Sequence, residues 1–223
     1  MTAVRTFASW SSGKDSAWMV HGLQHDPEIE LAGLLTTVNE THDRVAMHAV
    51  RRELLQMQAD ALRLPLITVD IPSPCSNAQY EIAMKAATDR LVQEQVRQIA
   101  FGDLLLADVK AYREQQMRNA GLIPMFPLWQ RNTAALAREM IRGGLKAIVT
   151  CVDPKQLSSV FAGREFDDAF VDSLPEGVDP CGENGEFHTF AYAGPMFSQA
   201  IAVRRGVTVE RDGFVFTDLE AAT

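Results

Sequence analysis

The 223-residue chain is predicted to adopt an α/β fold: a Rossmann-like parallel sheet with helices on both faces, plus a smaller C-terminal α+β domain. Two observations carry this expectation. Through the first half, short apolar strand-like runs alternate with helix-period segments, the pattern of parallel strands joined by crossover helices. From Pro124 the texture changes, and Pro124, Pro127, Pro154, Pro175, Pro180 and Pro195 break the chain into shorter pieces. The expected domains are 1–123 and 124–223.

Thr6-Phe7-Ala8 is a short apolar strand that leads to the small-residue loop opening at Ser11-Ser12-Gly13 and then a helix containing Ala17, Trp18, Val20 and Leu23. Leu31 to Val38 reads as a buried strand ending in Thr36-Thr37. His48 to Leu64 reads as a helix, with Val50, Leu54, Met57 and Ala61 at spacings of three and four and Pro65 as its stop. Leu66 to Val69 is a short strand. Asn77 to Arg97 is a long amphipathic helix with Ile82, Ala86, Leu91 and Val92 expected inward. Ile99 to Phe101 is a strand leading into Gly102-Asp103. Beyond the expected boundary, Thr133 to Arg142 reads as a helix and Ala147 to Val152 as a strand. Val207 to Phe216 reads as a hairpin turned at Asp212-Gly213.

Open parallel sheets bind ligands at the carboxyl ends of their strands, near the switch in strand order. Three polar strand ends are therefore candidates for one crevice: Ser11 to Ser16, Thr36-Thr37 and Gly102-Asp103. The first, Ser11-Ser12-Gly13-Lys14-Asp15-Ser16, is a small-residue loop opening a helix. Its backbone N–H groups and the helix N-terminus suit an anion, and Lys14 adds a point charge. Asp15 would repel phosphate unless Mg²⁺ lay between them. The loop thus reads as a pyrophosphate and metal cradle for ATP, with Asp15 as the metal ligand. The P-loop pattern fails, because Ala8 stands where its first glycine belongs and Asp15 follows the lysine. Lys14 and Asp15 are expected to be exposed loop side chains whose removal leaves the core intact. A plain helix-start loop is the simpler alternative.

Hydrophobic residues make up 47% and charged residues 22%, with a net charge of −8. A sizeable core is therefore expected, and a nucleic-acid partner is disfavoured by the lack of a basic excess. The 3 cysteines, Cys75, Cys151 and Cys181, are scattered without metal spacing, which suits a reducing cytoplasm. No leader-like segment opens the sequence and no apolar run suggests a membrane span. A cytoplasmic protein is expected, with a homodimer as a candidate assembly.

The second constellation is Asp179-Pro180-Cys181-Gly182-Glu183-Asn184-Gly185-Glu186-Phe187-His188-Thr189-Phe190. It packs carboxylates, an amide, an imidazole and a hydroxyl into one glycine-punctuated loop before an apolar strand. Such density suits a site, although turns also favour Asp, Asn, Gly and Pro. Cys181 reads as structural, and Trp10 and Trp129 as packing residues. Asp167-Asp168 with Asp172 read as a solvated face.

Ser11 to Ser16 resembles the S-G-G-K-D-S signature of the N-type ATP pyrophosphatases, adenine-nucleotide α-hydrolase-like proteins of the PP-loop superfamily, with Ser12 in place of a glycine. Glu183 to Phe190 resembles the E-x-G-E-x-x-T-F element of the diphthine–ammonia ligase family. Thr36-Thr37 with Met47-His48, then Gly102-Asp103, Arg113-Glu114, Gly121-Leu122 and Pro127-Leu128-Trp129 are similar to further motifs of that family, in order, over nearly the whole chain. The chain resembles its compact bacterial branch. Lys110 and Tyr112 stand where eukaryotic and archaeal members tend to carry arginines.

The resemblance implies an amide-forming ligase that adenylates a carboxylate with ATP and Mg²⁺, releasing AMP and pyrophosphate, and takes ammonia from a donor. It implies nucleotide contacts from Ser9, Ser11, Ser12, Gly13, Lys14, Asp15, Ser16, Thr36, Thr37, His48, Gly102 and Asp103. Catalytic roles fall to Lys14, Asp15, Glu183, Glu186 and His188, and substrate contacts to Arg113, Glu114, Asn184 and Thr189. The carboxylate partner is a small molecule or a protein side chain. The alternatives are a non-catalytic nucleotide sensor and a sulfurtransferase or tRNA-modifying pyrophosphatase.

Overall fold

The computed structural model describes residues 2–40, 44–45, 50–72 and 74–222. His48 and Met47 lie outside the described residues. Strand β1 (Val4–Ser9) pairs in parallel with β2 (Ile29–Asn39) on one side and β5 (Gln98–Ala100) on the other. Strand β4 (Leu66–Ile71) runs parallel to the far edge of β2, and β6 (Ile123–Met125) parallel to the far edge of β5. The two-residue strand β3 (Arg44–Val45) joins the end of β2 antiparallel, completing a 6-stranded sheet. Taken in chain order, the parallel strands lie third-second-first-fourth-fifth. The order therefore reverses beside β1, the switch point where α/β sheets open a ligand crevice.

Side chains alternate across this sheet as strand geometry requires. Phe7, Leu35 and Ile99 enter one apolar cluster, while Ala8, Leu34 and Ala100 enter the other. Helices α3 (Asn77–Gln93) and α4 (Ala107–Asn119) cover the first face, contributing Ala87, Leu91 and Met117. Helices α1 (Lys14–Gln24) and α2 (Arg52–Leu62) cover the second. Helix α1 packs against both β2 and β8 (Phe187–Ala193). That sandwich explains why Ala17, Trp18, Met19 and Val20 are consecutively buried, since a helix apolar on all sides must be enclosed.

Helix α3 is shorter than expected and turned about its axis. Leu91 is buried as predicted, but Ile82 is 72% exposed, and Ala86 and Val92 are also exposed. Its inward stripe is Tyr80, Ala83, Met84, Ala87, Thr88 and Leu91. Ser76 and Gln79 form a reciprocal capping box at its start. Strand β6 puts the boundary expected at Ile123 inside the first sheet.

After β6, α5 (Thr133–Arg142) leads into β7 (Lys146–Val152). The short helix α6 (Asp168–Asp172) follows, and then β8, β9 (Val203–Arg211) and β10 (Phe214–Ala221). These strands form a 4-stranded antiparallel sheet in the order β8-β7-β10-β9. The β9–β10 turn falls at Asp212-Gly213, with φ 53 and 81 as a primed two-residue turn demands. The acidic run on α6 is exposed, as expected, and is also bonded. Asp167 caps the helix by accepting from Phe170 N at 2.7 Å, and Asp168 and Asp172 both pair with Arg138. One apolar cluster, including Trp10, Trp18, Phe166, Phe187 and Phe190, runs through both halves of the chain.

Candidate active site

The loop after β1 is built to turn its backbone toward the crevice. Ser12 sits at φ 72, the left-handed region that costs an L-residue about 1 kcal/mol or more and that glycine enters freely. Gly13 caps α1 with no side-chain hydrogen bond. Ser16 Oγ donates to Gly13 O at 3.0 Å, and Gly13 N donates to Ser11 Oγ at 3.3 Å. Gly102, at the end of β5, lies against the first turn of α1, where a Cβ would stand 3.1 Å from Ser16 N. A side chain there would push the β5 end and the first turn of α1 slightly apart.

The loop from Asp179 to Thr189 meets this turn directly. Lys14 N donates to Thr189 Oγ1 at 3.1 Å, and Ala191 N donates to Ser12 O at 2.9 Å. The Lys14 ammonium binds the Cys181 carbonyl and the Asp15 carboxylate, the latter at 2.7 Å. It also lies 5.6 Å from the Phe166 ring centroid and 5.5 Å from that of Phe187. Lys14 is thus 2% exposed, not the exposed loop side chain expected. Its charge lies beneath the loop and joins the two halves. Burial is the strongest influence and opposes that charge, but Asp15, Cys181 and Glu183 together outweigh it and raise the Lys14 pKa.

Glu183 faces Asp15 and Lys14. Its Oε2 accepts from Leu104 N at 3.2 Å and Leu105 N at 3.3 Å. Burial, reinforced by the charge of Asp15, pushes its carboxyl up to about 7. Asp103 is also raised, chiefly by burial, against the counter-pull of Arg113. Asp15 Oδ1 is buried and accepts no hydrogen bond, and the buried Ser12 Oγ is likewise unpaired. An anionic oxygen left bare beside two proton-hungry carboxyls fits a divalent cation bound there with phosphate. Mg²⁺ needs only one or two protein carboxylates in such a site.

Several expected site residues do other work. Glu186 is 2% exposed and braces its own loop. It accepts from Asp179 N at 2.9 Å, Asn184 N at 2.9 Å and Asn184 Nδ2 at 3.0 Å. It is therefore not an open acid, and the Asn184 amide is committed to holding it. The Thr189 hydroxyl holds the Lys14 amide. Thr36 is buried and donates to Trp10 O at 2.8 Å, so it shapes the strand end from inside. Arg113 and Glu114 do not pair with each other. Arg113 lies 2.9 Å from Asp103 and its guanidinium covers the Phe101 ring at 4.6 Å. Glu114 binds Lys110 at 2.6 Å and Arg118 at 3.0 Å along α4. Cys181 is buried, its Sγ 3.4 Å from Thr133 O, and burial raises its thiol pKa, consistent with a structural cysteine.

A cavity of about 720 Å³ opens between α3, α4 and the carboxyl ends of β1, β2 and β5. Ser9, Ser11, Thr37, Arg113 and His188 line it, with Leu35, Ile99 and Phe101 as its apolar floor. The sequence missed Tyr80 and Tyr112, which also line it, and Gln58, whose amide is buried at the loop. Gln58 sits four residues from both Leu54 and Leu62 on the buried stripe of α2. A polar residue within an apolar stripe was the available signal.

A small-residue loop feeding a buried helix N-terminus at the switch point of a parallel sheet defines a PP-loop class nucleotide site. Residues 4–124 match the family model for the diphthamide synthase N-terminal domain, and residues 132–219 match that for its C-terminal domain. The chain belongs to the diphthamide synthase family. Among curated relatives, the mouse (Mus musculus) diphthine–ammonia ligase is 28% identical over 223 residues, covering 90% of this chain and 83% of the mouse protein. The human (Homo sapiens) diphthine–ammonia ligase is 28% identical over 222 residues, covering 90% and 83%. That of Schizosaccharomyces pombe is 25% identical over 218 residues, covering 90% of this chain and 36% of the yeast protein.

Proposed function

We propose that this chain is an ATP-dependent ligase that turns a carboxylate into an amide. The carboxylate oxygen attacks the α-phosphorus of ATP, forming an acyl-adenylate and expelling pyrophosphate. Ammonia then attacks the acyl carbon, AMP leaves, and one proton is released. The observation that carries this reading is the meeting of Asp15 and Glu183, from opposite ends of the chain, at the N-terminus of α1.

Backbone N–H groups of the Ser11 to Ser16 loop other than that of Lys14, which Thr189 takes, would hold the departing pyrophosphate, an anion at a helix N-terminus. Asp15 would hold Mg²⁺, which neutralises phosphate charge when bound. Lys14, charged and buried below, adds a field of the same sign without leaving its bonds. Ser9, Ser11, Thr37 and Gly102 border the nucleotide, and Arg113 and His188 face the space left for the acid. Glu183, facing Asp15 and Lys14 at the rim of the loop, would take the proton that ammonia gives up. Glu186, Asn184 and Thr189 act indirectly, by fixing the loop that presents Glu183.

The relatives' name specifies diphthine and ammonia. The amide-forming step carries over to this chain, and its acid is assigned only as a carboxylate. Dispersed free cysteines support a cytoplasmic setting.

The test is exchange of labelled pyrophosphate into ATP with fractionated carboxylic acid pools. Exchange that requires an acid and is lost in Asp15→Asn is the expected result. ATP binding with no exchange in any pool would overturn the ligase and favour a nucleotide sensor.

A further inference from the structure

We infer that Gln58 is a positioning residue of the nucleotide site, holding the Ser12–Gly13 peptide with its N–H toward the phosphate. The inference rests on the ligase reading only in taking ATP as the ligand of that loop.

Gln58 lies in the middle of α2, fully buried. Its Oε1 accepts from Trp10 Nε1 at 3.0 Å. Its Nε2 donates to Ser12 O at 3.0 Å and to Ala191 O at 2.6 Å. The orientation of the amide is not arbitrary. Indole N–H only donates and carbonyls only accept, so the oxygen must face Trp10 and the nitrogen must face the two carbonyls. One side chain thus ties the end of β1, the phosphate loop and β8 together.

The consequence for the loop follows from peptide planarity. The carbonyl of Ser12 and the N–H of Gly13 belong to one rigid unit and point in opposite directions. Ala191 N and Gln58 Nε2 both donate to the Ser12 carbonyl and hold it inward. The Gly13 N–H must then face the crevice side, where it donates to Ser11 Oγ at 3.3 Å, a long bond that an incoming phosphate oxygen would replace. A flipped peptide would instead present a carbonyl oxygen to phosphate, replacing attraction by repulsion.

Such a holder is needed because Ser12 sits at φ 72. A serine kept in the left-handed region persists only where its surroundings over-determine it. With glycine there, the loop would rest in this conformation at little cost. The serine makes the loop depend on its two donors, and Gln58 is the one supplied by a side chain.

Three variants test this: Gln58→Met, which keeps length but removes all hydrogen bonding, Gln58→Asn, a milder change that cannot span both carbonyls, and Gln58→Met combined with Ser12→Gly. Equilibrium binding of Mg-ATP and the melting temperature are measured for each. We expect Gln58→Met to weaken ATP binding about tenfold or more and to lower the melting temperature. Adding Ser12→Gly should restore most of the ATP affinity without restoring the melting temperature, a split that a purely structural role would not produce. If Gln58→Met does not fold, Gln58→Asn, alone and with Ser12→Gly, carries the same comparison. Wild-type affinity in the single variants, or a loss that Ser12→Gly leaves untouched, would overturn the inference while leaving the ligase reading standing. A wild-type protein that does not bind Mg-ATP would overturn both.

Discussion

Lys14 and Glu183 show how far a residue's burial changes what its substitution reports. Lys14→Ala removes a buried ammonium from Asp15, the Cys181 carbonyl and two aromatic faces. Breaking a buried ion pair costs about 3 kcal/mol or more, so this variant should melt well below wild type as well as lose turnover. An unchanged melting temperature would return Lys14 to an open loop. Glu183 behaves oppositely. Its carboxyl titrates at about 7 in the folded protein and near 4.3 when unfolded. The folded state therefore holds the proton longer, and stability is eroded as pH rises from about 4 to about 7. Glu183→Gln should match wild type at pH 4 and exceed it above pH 7, measured without metal or nucleotide, while amide formation falls. Equal stability at both pH values would contradict the buried placement.

Among elements, α3 makes the sharpest test of packing. Leu91→Ala should cost about 2–5 kcal/mol, the range for emptying a buried leucine site. Ile82→Ser should stay within about 0.5 kcal/mol, as exposed changes do. Urea melts that reverse this order would restore the face expected from the sequence. The expectation failed there because the true stripe includes the polar residues Tyr80 and Thr88, so two registers of the helix looked alike. Helix α5 and the β9–β10 turn were legible because their patterns are local: a strong apolar period and an Asp-Gly pair. Strand β6 was not, since Pro124 reads as a breaker. The proline is tolerated because β6 lies at the sheet edge. The same contrast holds at the site. The chemistry-rich loops at Ser11 to Ser16 and Asp179 to Thr189 stood out as sequence. The inward direction of Glu186, Asn184 and Thr189 depends on folding and could not be read from composition.

At the scale of the whole molecule, two of the joints between the two sheets carry charge. One joint is the pair of loops at the candidate site. The other is Asp218 on β10, bridged to Arg44 at 2.7 Å and to Arg51 at the start of α2. Burial alone would raise Asp218, but hydrogen bonds from Arg51 and Arg44 win and hold it at about 2. Its stabilisation is therefore complete above the ordinary aspartate value and lost as pH falls through about 2. Asp218→Asn should cost about 2 kcal/mol at neutral pH, and the gap from wild type should close between about pH 4 and pH 2. A gap independent of pH would contradict the ionic joint. The central claim is that the loop from Ser11 to Ser16 grips the β and γ phosphates as one leaving group, so that ATP is cut beside its α-phosphorus. It is tested most directly by following α-labelled ATP with the intact protein, Mg²⁺, ammonium and an acid pool that supports exchange. Labelled AMP, formed only when the acid is present and lost in Asp15→Asn, is the predicted result, and labelled ADP as the sole product would contradict it.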